Sequence, residues 1–146
     1  EDATKGESQS NGLIESYIGK IEAQARTMKS ALERHYGPIH PRHSVLTWLV
    51  DYAAALLSRH NRGADGLTPF ERSTGKPWRV RTPEFGECVW YQPLKGERSG
   101  SKLDPKFDEG IFLCIQEGTA MKWIGTGTGV HRCWTIKCKF VPYSNI

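Results

Sequence analysis

Six apolar residues, Ile14, Ile18, Ile21, Ala25, Met28 and Leu32, follow one another at spacings of 4, 3, 4, 3 and 4 residues. That interval holds all six on a single face of an α-helix, whereas a strand would scatter them over both faces. The spacing predicts a long amphipathic helix from about Gly12 to His35. Ser10 or Asn11 can accept hydrogen bonds from the free amides of its first turn, and Gly37-Pro38 supplies a left-handed stop followed by a breaker. After the short connector around Pro38 and Pro41, Val45, Trp48, Leu49, Tyr52, Ala53 and Leu56 again trace a helical face, with Ser44 as cap and an end near Ser58 or His60. Thr68-Pro69-Phe70-Glu71 reads as a capping box, in which hydroxyl and carboxylate satisfy each other's backbone amides, and predicts a third, short helix ending at Gly75.

From Phe85 the period changes. Short β-type runs, Glu87 to Gln92, Gly110 to Gln116, Thr119 to Thr126 and Val130 to Val141, are separated by Gly and Pro. The Gly-rich stretch Gly125-Thr126-Gly127-Thr128-Gly129 divides two of them and predicts a hairpin. About five short strands in about sixty residues fit a small barrel or a strongly bent sheet. The chain is therefore expected to be α+β, with helices in residues 1–76, a linker at 77–84 containing Arg79 and Arg81, and a small antiparallel β-barrel-like module in residues 85–146.

Composition narrows the function classes. With 38% hydrophobic and 25% charged residues the chain is expected to fold and to be soluble. The longest apolar run, Val45 to Leu57, is interrupted by Thr47 and Asp51, so no transmembrane segment is expected. The polar, acidic start is unlike a secretory signal and reads as a cut inside a larger polypeptide. The net charge of +4 lies wholly downstream of residue 36, a distribution compatible with a polyanionic partner but common in proteins that have none. Cys88, Cys114, Cys133 and Cys138 fall in apolar β-type stretches, which suggests reduced thiols in an intracellular protein. His131, Cys133 and Cys138 are the best zinc candidates, yet they lack a paired C-x-x-C spacing, and on one continuous strand 133 and 138 point to opposite faces.

Four segments in order resemble one family. Ser8-Gln9-Ser10-Asn11-Gly12-Leu13-Ile14-Glu15 heads the long helix. Ala55-Leu56-Leu57-Ser58-Arg59-His60-Asn61 ends the second. Gly66-Leu67-Thr68-Pro69-Phe70-Glu71-Arg72-Ser73-Thr74-Gly75-Lys76-Pro77 holds the third. Ser101-Lys102-Leu103-Asp104-Pro105-Lys106 then precedes Gly110-Ile111-Phe112-Leu113. Together they resemble the C-terminal part of copia-type retrotransposon integrases, in the superfamily of retroviral integrases with an Asp, Asp, Glu triad. The resemblance implies that residues 1–76 are the last helices of a catalytic core and that the β module is SH3-like.

It also implies chemistry. In such enzymes three carboxylates hold two magnesium ions during DNA strand transfer. Glu15 would be the third ligand, and so both the catalytic and the metal-binding residue of this chain. Asp51, Asp65, Asp104 and Asp108 all follow it, the wrong order for the other two, so the chain alone is expected to be inert and magnesium is expected only in a complete integrase. The general reading of a glutamate in a helix's first turn is a solvated residue favoured by the helix dipole, with Glu22 and Arg26 as a surface pair along the same line. Ser16-Tyr17-Ile18-Gly19 stands where family members often carry basic and amide residues. In the β module Lys102, Lys106, Lys122, Arg132, Lys137 and Lys139 are the candidates for phosphate contact, and Trp123 or Trp134 for base stacking. The expected partners are DNA and other integrase chains, in nucleus or cytoplasm. The alternative is a retroelement-derived structural or interaction subunit without catalysis.

Overall fold

A computed structural model describes residues 5–97 and 100–139 of the chain, with side chains from residue 9 onward. The chain divides into two compact units, residues 1–80 and 81–146. Helices fill the first and a five-stranded antiparallel sheet the second, an α+β arrangement. The outer ends of the predicted domains, residues 1–4 and 140–146, lie outside the described residues, as does the close of the predicted run at Val141.

Helix α1 spans Lys5–Tyr36. It is already formed at Lys5, ahead of the expected Gly12, because Lys5–Asn11 contains no proline and each added residue of a formed helix gains one backbone hydrogen bond. Ser10 and Asn11 therefore lie inside the helix and cap nothing. Its far end follows the sequence: Gly37 has φ 79° and its N–H donates to the Glu33 carbonyl at 2.9 Å. Along the apolar stripe Leu32 is buried and Ile21, Ala25 and Met28 are half-buried, while Ile14 and Ile18 remain 56% and 49% exposed.

Helix α2, Val45–His60, packs against α1 and buries Val45, Leu49, Tyr52 and Ala53 on one face. Ser44 sits at its N-terminus but makes no side-chain cap, because its φ −59° and ψ −26° are already helical. The imidazole Nδ1 of His43 accepts the Val45 N–H instead, at 3.1 Å. Helix α3, Pro69–Thr74, has its predicted start: Thr68 Oγ1 accepts the Glu71 N–H at 3.1 Å. The return half of the capping box differs. The Glu71 carboxylate takes the Thr68 hydroxyl at 3.4 Å and lies 3.5 Å from Arg62, so a cation draws it away from the backbone amide. Near the end of α2 the buried Arg59 guanidinium lies 3.9 Å from the centre of the Trp78 ring, and Phe70 meets the same ring edge-on at 5.3 Å. A residue of the predicted linker is thereby tied to the helices.

The β unit orders its strands β4-β3-β2-β1-β5, with β1 Cys88–Tyr91, β2 Asp108–Ile115, β3 Lys122–Thr126, β4 Gly129–Cys133 and β5 Ile136–Cys138. The sheet is open, with β4 and β5 as its two edges, so of the two forms expected from strand number, a small barrel or a strongly bent sheet, it does not close into the barrel. The predicted run from Val130 is broken at Trp134 and Thr135, and its second half crosses to the far edge, where it pairs with β1. The hairpin falls where the glycines put it, with Thr126 opposite Gly129 and only Gly127 and Thr128 between them. Val89, Tyr91, Phe112, Ile124 and Cys133 form the buried inner face. A bulge between Phe112 and Cys114 inserts Leu113, which breaks the alternation, so that the consecutive Phe112 and Leu113 are both fully buried.

Candidate nucleic-acid interface and the setting of Glu15

Glu15 is exposed on the first half of α1, between Ile14 and Ser16. The ion pair formed along its side of the helix joins Lys29 to Glu33 at 3.3 Å, in place of the expected Glu22 and Arg26. Among the described residues no three His, Cys, Asp or Glu side chains are arranged to hold a metal ion. One exposed carboxylate does not fit a two-ion magnesium site, which needs several carboxylates converging on both ions. No catalytic step follows from Glu15 as it stands. The zinc candidates are likewise dispersed: Cys133 is buried on β4, Cys138 is exposed on β5, and they lie on separate edge strands rather than one. Burial pushes the Cys133 thiol up to about 11.

The register decides what the basic residues of the β unit do. Directly opposed residues share a face and alternate residues change face. Trp90 stands opposite Lys137 on one side and Glu109 on the other, whereas Val89 and Tyr91 face the core. On this outer face Lys137 Nζ lies 4.6 Å from the centre of the Phe107 ring, and Lys139 Nζ 5.0 Å from that of Trp90. Lys139 also forms an ion pair with Glu109, which holds its ammonium charged above the ordinary lysine range. Further along, Arg132 stands opposite Trp123 with its guanidinium 5.4 Å from the ring centre. Lys122 belongs to the other face, opposite Cys133, and donates to the Trp134 carbonyl at 2.8 Å. Lys102 and Lys106 are exposed in the connection before β2.

Of the six basic residues proposed from sequence, the fold therefore brings Lys137 and Lys139 together, places Arg132 on the same outer face, separates Lys122 from them, and leaves Lys102 and Lys106 in a loop. Trp123 is half-buried, and Trp134, 54% exposed, occupies the bend between β4 and β5. Trp90 and Phe107 were not singled out by the sequence. The signal for Trp90 was there, because Cys88-Val89-Trp90-Tyr91 as a strand puts Val89 and Tyr91 on one side and Trp90 on the other. Phe107 precedes β2, and only the pairing of β1 with β5 brings a lysine over it.

No helix among the described residues is long and apolar enough to cross a membrane. Compared with protein families, with curated proteins and with solved structures, the chain matches none.

Proposed function

We propose that this chain acts as the C-terminal part of a copia-type retroelement integrase. Its helices would complete a catalytic core, Glu15 would be the last of the acidic residues, and the β unit would contact DNA or neighbouring integrase chains. The observation that carries this reading is the half-covered stripe of α1. Leu13, Ile14 and Ile18 are 75%, 56% and 49% exposed on the half of the helix that bears Glu15, while the stripe is covered by α2 further on. An apolar helix face left open marks a surface made to meet another structure, and a carboxylate about a quarter turn from that face is placed where other ligands can join it.

The test is the encoding transcript followed by two assays. Two aspartates in frame upstream are expected, and in the complete protein Glu15→Gln should abolish strand transfer while leaving DNA binding intact. The chain itself should bind DNA with an affinity that falls as salt rises. A start codon directly ahead of Glu1, or an unrelated targeting sequence there, would overturn the integrase reading. The second reading, a retroelement-derived structural subunit, is favoured by one observation: Lys122, Arg132, Lys137 and Lys139 all engage groups of the chain itself.

A further inference from the structure

We infer that the outer face of the sheet at its β1–β5 edge, where Lys137 and Lys139 lie over Phe107 and Trp90, binds an unpaired nucleic-acid strand. The inference rests on the nucleic-acid reading of the β unit above and names the form of nucleic acid that this surface fits.

Three features argue for it. First, Lys137 on the edge strand β5 and Lys139, one residue past its end, both reach rings of the outer face, Phe107 and Trp90, with their Cα atoms about 7 Å apart. Successive phosphates of an extended polynucleotide backbone repeat on that scale. Second, each ammonium already rests on an aromatic ring, Lys137 on Phe107 and Lys139 on Trp90. A lysine held this way has given up much of its rotamer freedom before any ligand arrives. Third, both rings are half-buried on the outer side of the sheet. Among the described residues of this unit there is no helix to enter a major groove. Half-buried rings beside cations suit unstacked bases, which offer their π faces only when unpaired.

Glu109 brings a carboxylate into the cluster, paired with Lys139. It neutralises part of the surface and gives the inference a sharp test. The full chain is titrated with a labelled oligothymidylate of about twenty nucleotides and with a blunt duplex of the same length, by fluorescence anisotropy over a salt series. The single strand is expected to bind about tenfold more tightly than the duplex, with quenching of tryptophan emission as bases stack. Lys137→Glu should weaken single-strand binding about tenfold, and Glu109→Gln should tighten it several-fold by removing a repelling charge. Trp90→Leu keeps an apolar side chain on the sheet but removes the π face, and it should lose the single-strand preference. Circular dichroism confirms that each variant is folded. Duplex bound as well as single strand, or single-strand affinity unmoved by Lys137→Glu and Glu109→Gln, would overturn this inference while leaving the DNA-contact reading in place. Binding of neither probe at low salt would overturn both.

Discussion

Tyr91 on β1 and His131 on β4 stack ring against ring, with centroids 6.1 Å apart and planes 18° from parallel. In the strand order β4-β3-β2-β1-β5 these strands are three steps apart, about 14 Å in a flat sheet. The contact therefore measures how far the sheet curls: its two halves fold toward each other over Phe112, Ile124 and Val89 although its edges never join. Burial raises the Tyr91 phenol above its usual pKa, with the carboxylates of Asp108 and Glu97 adding to the effect.

The stack should behave as a coupled pair. Tyr91→Ala empties a buried site and is expected to cost about 3 kcal/mol, and His131→Ala about 1 kcal/mol. In a double-mutant cycle by urea unfolding the two should cost less together than the sum of the singles, by about 0.5–1 kcal/mol. Strict additivity would mean that the rings lie side by side without supporting the curl.

Periodicity alone carried the helices and the strands, because burial of an apolar face imposes a 3.6-residue or 2-residue pattern that the chain wears openly. Thr68 and Gly75 were legible for a related reason: the chemistry of a helix end is local. What failed was chemistry decided by dihedral angles or by distant partners. Ser44 has the right side chain for a cap but helical backbone angles, so His43 supplies the bond. The break at Trp134 was invisible because Val130 to Val141 has continuous β character, and only the free edge of β1 draws Ile136–Cys138 away. The same long-range pairing sorts the six basic residues, which no spacing within the sequence foretells. Glu15 was marked by a motif rather than by a pattern of burial, and among the described residues no group of three ligating side chains forms around it.

Gly110 is predicted to be the least replaceable glycine of the sheet. A Cβ there would come within 2.3 Å of Ile124 Cγ2 and 3.0 Å of the Gly125 carbonyl. Ile124 is fully buried and cannot yield freely. Gly110→Ala should cost about 1–3 kcal/mol, while Gly127→Ala, with nothing within 4 Å, should be nearly neutral in the same denaturation series. Equal costs at the two positions would show that close approach is not what requires glycine at 110.

Acid should reveal the loop before α3. Asp65 accepts two hydrogen bonds from Arg72, at 2.9 and 2.6 Å, and the guanidinium holds its carboxyl down at about 2. The unfolded carboxyl titrates near about 3.9, so the folded state binds its proton less readily than the unfolded chain. The stabilisation is thus present above about pH 4 and fades as pH falls toward 2. Asp65→Asn should unfold earlier than the parent chain at about pH 6, and the gap should close at about pH 2. Because the pair is exposed, the gap should also shrink in high salt. A gap that stays constant with pH would place the effect of the substitution elsewhere than in this pair.

The open half of the α1 stripe separates stability from association. Replacing Ile14 and Ile18 by glutamate changes two residues that are about half exposed and puts a good helix former at each position. The double variant should match the parent chain in unfolding free energy within about 0.5 kcal/mol. Leu32→Ala, on the covered half of the same stripe, should cost about 2–5 kcal/mol. If the double variant instead unfolds readily, the chain itself covers that face and the observation on which the integrase reading rests is removed. If it stays folded, the same variant placed in the complete protein should be impaired in assembling its core, because two carboxylates would have to be buried on a face that is apolar in the parent chain.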